Sequence, residues 1–331
     1  MRVLIIKLGA LGDVIIAMPH IQQIIQHYPE DEVWLLTAPE YGSLFSEFAH
    51  LKVQTFPRKG LRSVADPIRW VRSKTFQVVI DLQGSDRSKM MVSLSGANKK
   101  AGLGPGFPYT HFPENKGIID GEVHSFHRLN RLLESANIPI ALDGPHLQGS
   151  SADRQQVTEW LKQQGIFEQK IVLIHAGSST RWESKRWTTN HFVTLGTILA
   201  EQYGLAVIWL GGKEDAEINQ KLVQFAGTDA TGLFSLLELA ELAHHAYFAI
   251  TTDSAPMHII AATGTPVYAL FGPTDWQRSY AVGQKDRVLT HHVECSPCFI
   301  PQCPPERGHK CLVDLKPEMV LAQLKQDGFL S

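Results

Sequence analysis

Seven residues near the start of the chain, Lys7-Leu8-Gly9-Ala10-Leu11-Gly12-Asp13, follow the apolar run Val3 to Ile6 and combine a cation, an acid and two glycines. An acid on a turn between a buried strand and its helix can reach a ligand above the sheet, where a carboxylate can take a proton from a hydroxyl. Later segments carry groups suited to a diphosphate. Ile174-His175-Ala176-Gly177-Ser178-Ser179-Thr180 places small and hydroxyl residues directly after an apolar run, with Lys185 and Arg186 close behind. Amides and hydroxyls of this kind donate to phosphate oxygens, although the same residues also build ordinary strand-to-helix loops. Trp182 and Trp187 read as packing residues rather than sugar platforms.

Thr251-Thr252-Asp253-Ser254-Ala255-Pro256-Met257-His258 is a stronger loop. Ser254 presents a hydroxyl beside the first amides of a following helix, a setting that suits an anion. Asp253 placed against phosphate would be repelled, so it reads as a positioning acid or a receiver of a ligand hydroxyl. His258 reads either as a phosphate contact or as the partner of a buried backbone group. In Leu270-Phe271-Gly272-Pro273-Thr274-Asp275 the turn offers Thr274 to a phosphate or sugar oxygen, or is simply a rigid connection. Leu210-Gly211-Gly212-Lys213-Glu214-Asp215 offers Glu214 to ribose hydroxyls and Lys213 to phosphate, and reads equally well as a solvated helix start.

The elements that must position these groups follow from periodicity. Val3 to Ile6, Val33 to Leu36 and Val78 to Ile80 are strand candidates separated by helical patterns, and Ile171 to Ile174, Ala206 to Leu210 and Tyr247 to Thr251 supply more. Ile21, Ile24, Ile25 and Tyr28 form one helical face; Pro19 either starts that helix or bends one begun near Gly12. The polar, turn-rich stretch from Asp143 to Ser151 predicts a boundary between a domain of residues 1–150 and one of residues 151–331. The last helical pattern, Pro317 to Gln326, packs on the second domain or returns across the first.

The 331 residues are 44% apolar with a net charge of -2, the composition of a soluble globular chain with no general affinity for nucleic acid. No apolar run approaches the roughly 20 residues of a membrane span, and the start lacks the order of a signal peptide, so a cytoplasmic location is expected. The neutral total conceals a basic stretch: Arg58, Lys59, Arg62, Arg69, Arg72 and Lys74, balanced only by Asp66. Such a stretch suits phosphates or an anionic membrane face, and suits a solvated helix face as well. The turn at Gly9 to Asp13 lacks a full GxGxxG pattern, which argues against dinucleotide redox chemistry.

Taken in order, Lys7 through Asp13, Ser184-Lys185-Arg186-Trp187, Thr252 through His258 and Phe271-Gly272-Pro273-Thr274 resemble the ADP-heptose:lipopolysaccharide heptosyltransferase family, glycosyltransferase family 9. The resemblance implies an α/β GT-B fold, two Rossmann-like domains facing a central cleft, with the first domain binding the acceptor and the second the ADP-sugar. It implies an inverting transfer of L-glycero-D-manno-heptose from ADP-heptose to an inner-core sugar of lipopolysaccharide. Asp13 matches the general base. Lys185 matches a donor-phosphate residue, and Asp253, Ser254 and His258 fall in the donor-side loop. Ser178, Lys213, Glu214 and Thr274 complete the expected donor set.

Arg58, Lys59, Arg62 and Arg128, the last in the acceptor-like segment His124-Ser125-Phe126-His127-Arg128, become candidate anion clamps for the core acceptor. Phe126 reads as core. Peripheral contact with the inner membrane is a further expected partnership, and the sequence sets no oligomeric state. No paired-acid magnesium motif accompanies the donor residues, so no catalytic metal or cofactor is expected. The alternative is a nucleotide-sugar-binding protein without transfer activity. All four cysteines fall in one tail, Cys295, Cys298, Cys303 and Cys311. Four thiolates suit a structural zinc or iron, with His309 as a mixed ligand, while reduced thiols or local cross-links are the other readings.

Overall fold

A computed structural model of the chain describes residues 1–57, 60, 62–114 and 124–331. They form two units, Met1–His146 and Leu147–Ser331. In the first, strands β1 (Arg2–Ile6), β2 (Glu32–Thr37), β3 (Leu51–Thr55), β4 (Val78–Asp81) and β5 (Lys99–Gly102) make one parallel sheet in the order β3-β2-β1-β4-β5. The central strands read as continuous apolar runs because helices cover both faces of a parallel sheet. Val3 to Ile6 of β1 are fully buried. The edge strands lie outside the sequence expectation for the same reason reversed: Leu51-Lys52-Val53-Gln54-Thr55 alternates and Lys99-Lys100 opens with cations, as edges tolerate.

Helices α1 (Leu11–His27), α2 (Arg62–Lys74), α3 (Asp86–Leu94) and α4 (Ser125–Ser135) complete this unit. Pro19 lies inside α1, which runs unbroken from Leu11, so Asp13 occupies its first turn. Helix α1 packs on α4. At that contact the fully buried His20 ring meets the edge of Phe126 at 4.7 Å, and its Nε2 bonds the Phe126 carbonyl oxygen at 3.0 Å.

Burial holds the His20 imidazole neutral, pulling its pKa from the ordinary 6.5 down to about 4. The unfolded chain therefore binds this proton first, and the residue's contribution to stability is complete above pH 6.5 and lost as pH falls toward 4. The shift corresponds to about 3 kcal/mol at most. Denaturant unfolding followed from pH 7 to 4 is expected to show that loss, and His20→Leu is expected to flatten it.

In the second unit, β6 (Ile171–His175), β7 (Ala206–Leu210), β8 (Thr228–Asp229), β9 (Ala246–Thr252), β10 (Val267–Phe271) and β11 (Val288–Thr290) form a parallel sheet in the order β11-β10-β9-β6-β7-β8. Around it lie α5 (Ser151–Gln163), α6 (Thr189–Glu201), α7 (Ala216–Leu222), α8 (Leu236–His244), α9 (Ala255–Ala261), α10 (Lys310–Val313) and α11 (Pro317–Gln326). The Ser150 hydroxyl accepts the Asp153 amide at 3.3 Å and the Asp153 carboxylate accepts the Ser150 amide at 2.7 Å, which starts α5 directly after the turn-rich stretch.

Helix α11 packs on α6, the second-domain placement of the two that the sequence left open. Its Val320 and Leu324 are fully buried in a cluster with Trp187, Phe192 and Trp209, each contributing about 1.5–3 kcal/mol by burial. The Trp187 indole also donates to the Leu315 carbonyl at 2.7 Å. Among the described residues no helix is long and apolar enough to cross a membrane.

Both sheets reverse their winding once, between β1 and β4 in the first and between β6 and β9 in the second. Beyond the carboxyl ends of such strand pairs the connecting loops diverge and leave a crevice for ligands.

Candidate functional site

The first crevice is built on an acid and a buried cation. Lys7 leaves the end of β1 buried, its ammonium donating to the Leu82 carbonyl at 3.2 Å. Burial lowers its pKa, and the negative charges of Asp13 and Asp81 oppose that shift. The Gln83 side-chain oxygen accepts the amides of Leu8 at 2.9 Å and Gly9 at 3.1 Å, which fixes the turn into α1. Asp13 then stands exposed in the first helical turn, where the helix dipole favours negative charge.

Asp81, ending the apolar run of β4, was not singled out from the sequence. Its Oδ2 accepts the Tyr109 hydroxyl at 2.7 Å and its Oδ1 the amides of Gln83 and Gly84 at 2.9 and 3.0 Å. Burial nevertheless raises its pKa. The signal that would have found it is an ionisable residue closing an otherwise apolar strand, since such a group sits at the crevice end of the sheet.

The described anion candidates of this unit differ in setting. Arg62 is exposed at the start of α2, while Arg128 is half-buried in α4 and near enough to Lys7 to lower its pKa. Phe126 is buried, as expected. Arg58 and Lys59 lie outside the described residues.

The second crevice gathers most of the expected donor residues. Lys185 Nζ lies 2.7 Å from Asp253 Oδ2, and the same oxygen accepts the Thr274 hydroxyl at 2.6 Å. Thr274 thus joins Lys185 on the one Asp253 oxygen. Asp253 is 8% exposed, so its charge is confined to a site that the Lys185 cation neutralises. Trp182 is not packing alone: its ring lies 5.1 Å from the Lys185 ammonium, within cation–π range.

The Ser178 hydroxyl donates to the Trp182 carbonyl at 2.8 Å and accepts from Arg186 Nε at 3.2 Å, which ties the loop after β6 together. Lys213 and Glu214 are exposed on a single 3-10 turn after β7, and His258 is buried in α9. Ser254 does not cap α9 with its side chain; its Oγ lies 3.0 Å from His175 Nδ1 and 3.2 Å from the Thr252 carbonyl oxygen.

His175 and Asp215 carry no role in the sequence analysis, yet the fold places both beside Ser254, and His175 ends an apolar strand as Asp81 does. The Asp215 carboxylate, 3% exposed, lies 3.5 Å from His175 Nε2 and accepts the Gly212 amide at 3.0 Å. Gly177 passes so close that an added Cβ would stand 2.0 Å from Asp215 Oδ1. Gly177→Ala is expected to cost about 1–3 kcal/mol in denaturant unfolding by displacing Asp215; an unchanged midpoint would show that the loop yields freely.

The four cysteines line one small cavity together with Ser184, Pro273 and His309, and all four thiols are free. Burial and the facing thiols push Cys311 up to about 11. Among the described residues, no three or more His, Cys, Asp or Glu side chains take up an ion-holding arrangement. The Cys303 thiol turns to the Pro304 carbonyl at 3.7 Å, and His309 Nε2 is held by the Ser184 carbonyl at 2.6 Å. The Cys298 amide donates to Pro273 O at 3.0 Å and the Ser184 hydroxyl to Ile300 O at 2.7 Å, so the cysteine loop clasps the two segments that meet at Asp253.

The profile of glycosyltransferase family 9 (heptosyltransferase) matches residues 65–309. The chain belongs to this family. Lipopolysaccharide core heptosyltransferase OpsX of Haemophilus influenzae is 25% identical over 343 residues, spanning 98% of this chain and 96% of that protein. The crystal structure of a family 9 glycosyltransferase from Veillonella parvula superposes with a TM-score of 0.84 at 20% identity, covering 98% of this chain and 96% of the other. Escherichia coli heptosyltransferase WaaC with ADP gives a TM-score of 0.68 at 19% identity, over 99% and 100% of the two chains. Two parallel-sheet α/β domains in the GT-B class are thus the fold of this family 9 protein, as the resemblance implied.

Proposed function

We propose that this family 9 protein transfers L-glycero-D-manno-heptose from ADP-heptose to an inner-core sugar of lipopolysaccharide, with inversion at the anomeric carbon. The observation that carries the reading is Lys185, a cation held 2.7 Å from Asp253 at the crevice between β6 and β9. An ammonium has three donors, so Lys185 can keep Asp253 and still bond two phosphate oxygens of the departing ADP. The relatives' activities agree with this, OpsX acting on the lipopolysaccharide core and WaaC having been solved with ADP.

In this reading Asp13 accepts the proton of the core hydroxyl as that oxygen attacks the anomeric carbon, and Lys7 supplies a fixed positive charge behind it. The ADP leaves against Lys185, with Ser254 and His258 as further phosphate contacts and Glu214 or Lys213 toward the ribose. Protein donors stabilise the diphosphate without a metal ion, so transfer is expected to persist in chelator. Arg62 and Arg128 hold acceptor phosphates or carboxylates, and the exposed cations of α2 suit work at the cytoplasmic face of the inner membrane.

The test supplies ADP-heptose with defined inner-core acceptors and follows both ADP release and glycosylated product. Equal formation of both is expected. Tight ADP-heptose binding with neither product would establish the non-catalytic alternative.

A further inference from the structure

The acid of the first crevice stands on a helix that begins without a side-chain cap. Ala10 precedes α1 and has no side-chain oxygen to offer, so nothing local fixes how the chain enters the turn that carries Asp13. Packing holds the helix from the next residue on: Val14, Ile15 and Ile16 are buried. The entry itself is held from 75 residues away, where Gln83 Oε1 accepts the amides of Leu8 at 2.9 Å and Gly9 at 3.1 Å. Among the described residues no other hydrogen bond reaches these two amides. A backbone N–H can only donate, so the atom facing both is the oxygen, and the orientation of the Gln83 amide follows from its partners.

Gln83 is placed with little freedom of its own. It lies in the short connection between β4 and α3, residues 82–85. The Leu82 amide bonds Ile6 O at 3.0 Å, and the Ser85 hydroxyl caps α3 by accepting the Ser88 amide at 3.2 Å. Between these anchors Asp81 Oδ1 takes the amides of Gln83 and Gly84 at 2.9 and 3.0 Å, and Gly84 adopts a φ of 67°, the left-handed region that favours glycine. Asp81 is held in turn by the Tyr109 hydroxyl at 2.7 Å, and Gly102 makes room for that ring, since an added Cβ would stand 2.1 Å from it. The buried line Tyr109–Asp81–Gln83 thus ends in a fixed acceptor for the turn before α1.

We propose that Gln83 is the positioning residue for Asp13: by holding Leu8 and Gly9 it sets the direction in which the first turn of α1 presents that carboxylate to the acceptor hydroxyl. The inference rests on Asp13 being the base, and it adds what keeps the base on target. Gln83 takes no proton in the reaction, and no covalent bond to it forms or breaks. Without its oxygen the two amides turn to water and the entry to α1 shifts, while the packed remainder of the helix stays. The distance from base to hydroxyl is what changes, and a misplacement of about 1 Å can cost about 10²-fold in rate.

The experiment measures kcat for heptosyl transfer and ADP affinity on the full chain, at a pH well above the carboxylate range. Gln83→Met keeps the reach of the side chain but has no oxygen, and it is expected to lower kcat by about 10- to 100-fold with ADP affinity unchanged. Gln83→Glu returns an acceptor to both amides and is expected to recover most of that loss. In an Asp13→Asn background, Gln83→Met is expected to leave kcat where Asp13→Asn alone puts it, because residues that act as a unit are not additive. Amide hydrogen exchange needs no variant: Leu8 and Gly9 are expected to exchange slowly in wild type. A wild-type kcat in Gln83→Met, a Gln83→Glu as slow as Gln83→Met, a full further loss on top of Asp13→Asn, or unprotected Leu8 and Gly9 amides in wild type each overturns the role of Gln83 alone. An Asp13→Asn variant at the wild-type rate overturns the base reading, and this inference with it.

Discussion

Asp13→Asn is expected to lower kcat by about 10²- to 10⁴-fold, the usual worth of a positioned base, while ADP affinity stays near that of wild type. The split follows from placement. Asp13 belongs to the first turn of α1 in the first unit, whereas the expected ADP contacts all belong to the second. Asn keeps the size and polarity of the side chain but cannot carry the proton. Product formation at the wild-type rate would remove Asp13 as the base, and a parallel loss of ADP binding would show damage beyond the proton transfer.

Lys185→Ala is expected to lower kcat/KM by about 10²- to 10³-fold, the range found when a preorganised donor to developing charge is removed. Two losses combine. The departing diphosphate loses a cation, and the Asp253 carboxylate, 8% exposed and now bonded only by Thr274 among the contacts described above, faces it with uncompensated charge. Adding Asp253→Asn to Lys185→Ala should therefore restore ADP affinity by about tenfold, a coupling within the range for side chains in direct contact. ADP titrations on the two single variants and the double variant measure it. Simple additivity of the two losses would mean that the pair does not act at the diphosphate.

The difference between legible and illegible residues is systematic. Lys185, Asp253 and Ser254 are recognisable because a cation, an acid and a hydroxyl in short loops after apolar runs have few other uses in that combination. Their partners are not recognisable. Thr274 is 21 residues from Asp253 and Ser254 is 79 from His175, so no window of sequence contains either bond. The chemical type of Thr274 suggested a ligand contact, and only the fold shows that its hydroxyl also reaches Asp253.

The cysteine tail shows the same limit. Spacing made a tetrathiolate plausible, but no short stretch of sequence shows that the loop's hydrogen bonds to Ser184 and Pro273 make it a clasp on the donor loops.

By itself the sequence determined the alternation of buried parallel strands with helices, the acid on the first crossover, and the loops rich in phosphate donors. Those features are local, written in apolar runs and in the residues that end them. Tertiary structure decided which strands stand at the two reversals of winding, and therefore that Asp81 joins Lys7 and that His175 and Asp215 stand behind Ser254. A buried polar atom takes whatever partner the packed chain brings within hydrogen-bond reach, and strand order, which no short stretch of residues encodes, sets that choice.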